Sequence, residues 1–223
     1  MTTVFIARRD AQRARAAQAH IEATRELRVL GVASTLFRAR TALPALDPDT
    51  LLIDLRMEDG AALSLVRSLR ERQVERPKVM LVVTDAADPL LFSTLVSGAD
   101  AYLLESDLPV AASMLRRLAV GEATMAAPIA AQVLRFFGEE PMWAPATLSG
   151  DDRRLDWSSQ RANPLQLSPG ELRLVQLISQ HLRAGDLAAR MAISIEAVGR
   201  RIANIYQKLS WDVRSGSLSL AAA

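Results

Sequence analysis

The stretch over residues 51–57 most constrains the fold, because it places one carboxylate, that of Asp54, directly after a short apolar run. A short apolar run between two helical patterns is typical of a strand buried in a parallel sheet. In open α/β sheets, ligands bind at the carboxyl ends of the strands. The sequence therefore predicts that Asp54 lies at the functional edge of such a sheet.

Strand and helix patterns alternate along residues 1–122. Five apolar runs predict strands over residues 4–7, 27–33, 51–54, 78–84 and 101–104. Five segments with helical character follow these strands, over residues 11–23, 36–46, 60–72, 89–97 and 109–119. This alternation predicts an α/β fold, namely a five-stranded doubly wound parallel sheet with right-handed crossovers.

A helix and a linker are predicted over residues 123–165. The helix covers residues 128–137 and has apolar residues on most faces. The segment 138–164 is rich in proline, serine, glycine and charged residues, which is typical of a linker. A short hairpin that pairs residues 153–158 with residues 165–168 is compatible with this segment.

The last segment, residues 166–223, has helical patterns only. Its first helix begins with an N-cap serine, Ser168, followed by Pro169 and then by Glu171, so that both bonds of a capping box are available. Helices are predicted over residues 168–181, 186–191 and 195–209, with a tight turn between the last two. An all-α domain of the helix-turn-helix type follows from this spacing. A short fourth helix is expected over residues 217–223.

Positive charge is concentrated in this all-α segment. The whole chain has a formal net charge of only +2, but residues 166–210 contain six basic residues against three acidic ones. The third helix has an apolar back and a polar, basic front. A local concentration of positive charge on one helix is what a phosphate-binding module needs.

Specific residues in both halves match one known family in order and spacing. In the C-terminal half they are Leu167, Ser168, Pro169, Gly170, Glu171, Ile178, Leu187, Ala188, Met191, Ile193, Ser194, Val198, Asn204, Ile205, Tyr206, Lys208 and Leu209. In the N-terminal half they are residues 52–57, 82–84 and 98–104. The chain thus resembles the two-component response regulators of the NarL/FixJ type, which have a CheY-like receiver domain followed by a LuxR-type helix-turn-helix domain.

The resemblance assigns roles to several positions of the first domain. Asp54 stands where the family accepts a phosphoryl group, while Thr84 and Tyr102 stand at its two switch positions. The family also uses a pair of acids and a lysine, which hold a divalent cation and neutralise the phosphoryl oxygens. Arg8 and Arg9 replace the acid pair here, and Glu105 replaces the lysine.

These replacements reverse the charge at each position. We expect both guanidinium groups to pair with Asp54 and to repel Mg²⁺, so that the site binds no metal and no cofactor. Asp10 would restore part of an acidic site if the alignment were shifted by one or two residues. The sequence thus predicts an atypical receiver that is not switched by Mg²⁺-dependent phosphorylation.

The resemblance also implies contacts with double-stranded DNA. We expect them from Ser194, Arg200, Arg201, Asn204, Gln207 and Lys208, because arginine and amide side chains read base edges or hold phosphates. Gly199 stands where the family commonly has a DNA-contacting lysine, and Ala203 replaces another polar contact. Either DNA approaches closely at Gly199, or a contact has been lost there.

Composition favours a cytoplasmic regulator without enzymatic activity. The chain has no cysteine, no apolar run long enough to span a membrane, and no triad or glycine-rich phosphate loop. We expect a homodimer on DNA, with a protein or small-molecule signal at the receiver. Two alternatives remain open, namely an interaction protein that has lost specific DNA binding and a conventional regulator that is phosphorylated on Asp54.

Overall fold

The computed structural model describes residues 1–71, 76–136 and 167–214. The predicted linker with its hairpin and the predicted fourth helix over residues 217–223 lie outside these residues. The division of the chain at residues 122 and 165 stays a prediction. Within the described ranges, no helix combines the length and hydropathy that a membrane crossing requires.

Five parallel strands form the sheet, as predicted. They are Thr2–Ala7 (β1), Leu27–Ala33 (β2), Thr50–Asp54 (β3), Lys78–Val83 (β6) and Ala101–Leu104 (β7). Their order across the sheet is β2-β1-β3-β6-β7, so the central strand is β3. The apolar residues Leu51, Leu52 and Ile53 of this strand are fully buried, because helices cover both faces of a parallel sheet.

The helices of the first domain fill the connections between these strands. They are Ala11–Glu22 (α1), Leu36–Leu46 (α2), Leu63–Glu71 (α3), Leu90–Val96 (α4) and Ala111–Ala119 (α5), the last preceded by a 3₁₀ turn over Glu105–Val110. Helices α1 and α5 pack together, as do α3 and α4. The predicted α/β fold class is confirmed.

The prediction of a helix over residues 60–72 was wrong at its start. Gly60–Ala61 (β5) pairs with Arg56–Met57 (β4) in a two-stranded antiparallel ladder, and α3 begins only at Leu63. Gly60 has a φ of 141°, which is accessible to glycine and strained for other residues. The loop after Asp54 therefore folds back on itself before the helix begins.

The remaining helices are Ala127–Phe136 (α6), Pro169–Ser179 (α7), Ala184–Met191 (α8) and Ile195–Arg214 (α9). Helix α9 continues five residues beyond the predicted end at Leu209. Helix α6 packs on α7, and α9 packs on both α8 and α4. The helical domain therefore contacts the sheet domain directly through α4 and α9.

The predicted capping box at the start of α7 is present. The Ser168 hydroxyl accepts a hydrogen bond from the backbone N–H of Glu171, and the Glu171 carboxylate accepts one at 2.7 Å from the backbone N–H of Ser168. Both bonds satisfy donors that the first turn of a helix otherwise leaves unpaired. The start of the helical domain is thus fixed by local sequence.

Replacing Ser168 with alanine should lower the free energy of unfolding by about 1 kcal/mol, because one N-cap acceptor is lost. Ser113→Ala is the matched control, since Ser113 is an exposed serine inside α5 and alanine is a better helix former. Urea unfolding of the two full-length variants measures the difference. Equal stability of the two variants would contradict this role of the cap.

Candidate functional site

A buried guanidinium group lies at the carboxyl edge of the sheet. Arg8 follows β1 directly and is only 1% exposed. Its Nε donates a hydrogen bond of 2.9 Å to Oδ1 of Asp54, and its Nη2 forms an ion pair with the carboxylate of Glu105. Its Nη1 donates to the backbone carbonyl of Arg13 at 3.4 Å. The three nitrogens of this buried cation therefore meet acceptors from three different segments.

Asp54 stands at the tip of β3, with its side chain 13% exposed. Its second oxygen accepts a hydrogen bond of 2.9 Å from the backbone N–H of Arg9. Burial raises the pKa of the Asp54 carboxyl, and the Arg8 guanidinium and the Arg9 N–H lower it only in part, so its pKa lies above the ordinary value. Asp54 is thus a desolvated carboxylate held by two donors.

The expectation that two guanidinium groups pair with Asp54 was wrong for Arg9. The side chain of Arg9 is exposed, and only its backbone reaches Asp54. Strand β1 ends at Ala7, and Arg9 lies in the bend before α1, where its side chain turns to solvent. Asp10, which a shifted alignment would have placed in an acidic site, instead caps α1 by accepting from the N–H of Arg13 at 2.8 Å.

These residues do not fit a divalent cation. Mg²⁺ is held by carboxylates and substrate oxygens, and it requires a site with an excess of negative charge. The side chain that approaches Asp54 is the cation Arg8, and Arg8 also neutralises Glu105. In the described part of the chain, no group of three or more histidine, cysteine or acidic side chains could hold a metal ion.

Thr84 and Tyr102, to which the resemblance assigns switch roles, differ in their environment. Thr84 directly follows β6 and is exposed, whereas Tyr102 is 1% exposed and burial raises the pKa of its phenol well above the ordinary value. The Tyr102 hydroxyl has no hydrogen-bond partner of good geometry among the described residues. Its ring packs against that of Tyr206 in α9, with 5.5 Å between the centroids and an interplanar angle of 37°.

Tyr206 is therefore a residue of the site to which the sequence assigned no role. It is 1% exposed, and its hydroxyl donates a hydrogen bond of 3.3 Å to the backbone carbonyl of Thr124. The sequence indicated only that one buried position of α9 is aromatic where the others, such as Val198 and Ile205, are aliphatic. That pattern does not reveal the partner, which lies 82 residues away.

The six residues predicted to contact DNA lie in four different settings. Arg200, Asn204 and Gln207 are exposed on one face of α9. Arg201 is half-buried, with its guanidinium over the first turn of α7 near Gly170.

The other two predicted contacts have partners within the domain. The Ser194 hydroxyl accepts a hydrogen bond of 3.2 Å from the N–H of Ala197, so it caps the first turn of α9. The Lys208 ammonium forms an ion pair of 2.7 Å with Glu171. Partial burial by itself raises the pKa of Glu171, but Lys208 and Ser168 outweigh it and hold this pKa below the ordinary value. Lys208 thus has a structural partner in addition to any role toward DNA.

Gly199 lies against the sheet domain, and Ala203 is partly buried one turn further along α9. Gly199 is buried, and its carbonyl accepts a hydrogen bond of 3.0 Å from the N–H of Ala123. A glycine inside a helix costs about 1 kcal/mol relative to alanine. The group that approaches Gly199 in this structure is the first domain of the same chain. Both explanations given for Gly199 in the sequence, a close approach of DNA and a lost contact, stay predictions.

The sequence of the chain is similar to those of known transcriptional regulators. No protein-family model matches the chain. The transcriptional regulatory protein LiaR of Bacillus subtilis is 26% identical over 193 residues, which cover 86% of this chain and 82% of LiaR. The DNA-binding transcriptional activator DevR/DosR of Mycobacterium tuberculosis is 23% identical over 192 residues, or 85% of this chain and 80% of that protein.

Solved structures show the same fold. The RcsB response regulator of Salmonella typhimurium superimposes with a TM-score of 0.54 at 17% identity, over 94% of this chain and 93% of that chain. A LuxR-family DNA-binding response regulator from Staphylococcus aureus superimposes with a TM-score of 0.50 at 17% identity, over 53% of this chain and 99% of that chain. Both domains of the chain therefore have structural counterparts.

Replacing Arg8 with alanine should lower the free energy of unfolding by about 3 kcal/mol, because it leaves two desolvated carboxylates without their cation. Arg9→Ala is the matched control and should change stability by no more than about 0.5 kcal/mol, since its side chain is exposed. Urea unfolding at neutral pH gives both values. A loss of similar size in the two variants would show that the ion pair does not carry this stability.

Proposed function

We propose that this chain, a homologue of the NarL-, LiaR- and DevR-type response regulators, is a DNA-binding transcriptional regulator with an atypical receiver domain. The observation that carries the proposal is the exposed row on α9, formed by Arg200, Asn204 and Gln207. The relatives support it, because LiaR is a transcriptional regulatory protein and DevR/DosR is a DNA-binding transcriptional activator, and each match covers 80% or more of both chains. Nothing in this role requires the chain to be an enzyme.

The row on α9 has the shape and chemistry for the major groove. An α-helix fits the groove, and side chains spaced three and four residues apart lie on one face of the helix. Arginine pairs with guanine edges or phosphates, and asparagine and glutamine pair with adenine edges. Arg201 and Lys208 flank the row and add positive charge for the phosphate backbone. One such helix offers little contact area, so a homodimer on paired half-sites follows.

The receiver in this proposal works without a bound metal and without a phosphoryl group on Asp54. Arg8 supplies the positive charge at the site and pairs with one oxygen of Asp54 and one oxygen of Glu105. A phosphoryl group on Asp54 would have to displace this guanidinium or share it with Glu105. Control by dimerisation, or by a protein or small molecule that binds the receiver, is the input that remains. The protein would act where its DNA is, in the cytoplasm.

A protein-interaction regulator without specific DNA binding is the second candidate. It is favoured by Gly199 and Ala203, because neither residue has a polar side chain for a base contact, and Gly199 contacts the receiver. The exposed surface of α9 is reduced accordingly. The two candidates differ in whether the chain selects any DNA sequence.

The DNA-binding role is tested by selection from a random duplex library, followed by titration of the enriched duplex at several salt concentrations. Arg200→Ala should weaken binding by about 1–3 kcal/mol, which is roughly 5- to 150-fold, because an exposed arginine of the row is lost. Arg201→Ala should weaken it as well and reduce the salt dependence if its contact is to phosphate.

Arg15→Ala is the matched control, since Arg15 is an exposed arginine on α1 of the receiver. It should leave the affinity for the enriched duplex unchanged. If no sequence is enriched, and the three variants bind duplex DNA as the wild type does, the chain has no DNA-reading helix and the interaction role is the correct one.

A further inference from the structure

An open cavity of about 670 Å³ lies at the amino edge of the sheet, opposite the edge that carries Asp54. It is bounded by the start of β1, the turn that joins α1 to β2, and the end of α5. This volume is in the range that small-molecule sites occupy. The residues that line it include three arginines, Arg25, Arg116 and Arg117, and one acid, Glu26. We refer to it as the arginine cleft.

The guanidinium group of Arg116 uses only one of its edges within the chain. Its Nη1 forms an ion pair with the carboxylate of Glu26. Its Nε is buried and has no hydrogen-bond partner among the described residues. A buried donor without an acceptor is costly, and two N–H groups on one edge of an arginine are the donors that pair with two oxygens of an anion. Because 42% of the side chain is exposed, a ligand can reach this guanidinium from solvent.

Positive charge is in excess in the cleft. Arg117 forms an ion pair of 3.0 Å with Glu122, whereas Arg25 is exposed and has no ion pair within the described part of the chain. The three arginines are therefore balanced by only two carboxylates, those of Glu26 and Glu122. The surplus charge and the unpaired Nε both favour an anionic ligand.

The arrangement of the arginines favours a phosphate group over a carboxylate. Arg25 precedes β2, while Arg116 and Arg117 belong to α5, so the donors approach from two segments. A phosphomonoester offers three acceptor oxygens to such donors and carries a charge of about −1.5 to −2 at neutral pH. The side chain of Val120, which is 73% exposed, lines the same cleft. An apolar part of the ligand would remove this side chain from water.

We propose that the arginine cleft binds a small organic phosphate, whose phosphate group pairs with Arg25 and Arg116 and whose apolar or aromatic body covers Val120. This inference rests on the proposed function in one respect, because it gives the chemical class and the site of a small-molecule signal to the receiver. Arg117 lines the cleft and also lies beside Gly199 of α9, so a ligand in the cleft is adjacent to the helix that carries the exposed row.

Binding is tested with adenosine 5′-monophosphate (AMP) as the probe, in two-dimensional ¹H–¹⁵N NMR titrations of the full-length chain without DNA. AMP combines a phosphomonoester with a flat aromatic body. Adenosine lacks the phosphate and inorganic phosphate lacks the body, so both should bind at least about fivefold more weakly than AMP. The amide signals of residues 25–26 and 113–120 should shift on addition of AMP, because these residues surround the cleft.

Two substitutions should change the affinity for AMP in opposite directions. Arg116→Ala should weaken binding by at least about tenfold, since the unpaired edge is lost. Glu26→Gln should strengthen it about two- to fivefold, since it removes the acid that competes for Arg116. Arg38→Ala and Glu71→Gln are the matched controls and should leave the affinity unchanged, because these exposed residues lie on α2 and α3, away from the cleft.

Far-ultraviolet circular dichroism checks that each variant is folded. Arg25→Ala, which breaks no ion pair among the described residues, replaces Arg116→Ala if the latter loses its helix content. The proposal is overturned if AMP leaves the signals of the cleft unchanged, if it shifts only signals of α9, or if inorganic phosphate binds as tightly as AMP. Equal losses in Arg116→Ala and Arg38→Ala would overturn it as well, because the probe would then respond to net charge alone. A chain that selects a DNA sequence but binds no AMP refutes this inference and leaves the DNA-binding role intact.

Discussion

The structure depends on one buried cation, the guanidinium group of Arg8. A buried charge is stable only when it is paired and hydrogen-bonded. Arg8 meets this condition by joining Asp54 at the tip of β3 to Glu105 just after β7, and by donating to the main chain near the start of α1. The carboxyl edge of the sheet is therefore tied together by a cation that belongs to the chain itself. A bound metal comes and goes with its concentration, whereas this charge is always present.

The same edge is connected to the helical domain through one short strand. Glu105 follows β7 directly, and β7 has only four residues, of which Tyr102 is the second. Tyr102 packs on Tyr206 of α9, so a single strand has the ion pair at its end and helix α9 at its side. Contiguous packing of this kind is one physical route for coupling between two sites. The arrangement supports a receiver that influences α9 through contact and needs no phosphoryl group to hold its shape.

The sequence predicted the parts of this structure that local patterns determine. The five strands and the capping box at Ser168 follow from apolar runs and from residues at most three positions apart, and both are present. The role of Arg8 followed from the reversal of charge at its position. Arg9 was predicted wrongly, because β1 ends before it and the bend that follows turns its side chain to solvent, which the local pattern of residues does not reveal. The two-residue ladder at Gly60 is too short to produce a period that a sequence pattern can show.

Contacts across the chain were beyond the reach of these patterns. Lys208 pairs with Glu171, which is 37 residues away, and α9 meets the receiver through residues more than 70 positions earlier. Gly199 did stand out in the sequence as an unfavourable residue for a helix. The reason became visible only in the fold, because the receiver residues that approach Gly199 are more than 70 positions away in the sequence.

The most direct test of a receiver held by its own cation is the intact mass of the chain after incubation with acetyl phosphate and Mg²⁺. A conventional response regulator treated in parallel verifies that the reagent is active, and Asp54→Asn identifies the acceptor. We predict that the wild-type chain keeps its mass, because Arg8 excludes Mg²⁺ from Asp54. A wild-type chain that gains the mass of one phosphoryl group, when Asp54→Asn does not, would contradict this role of Arg8.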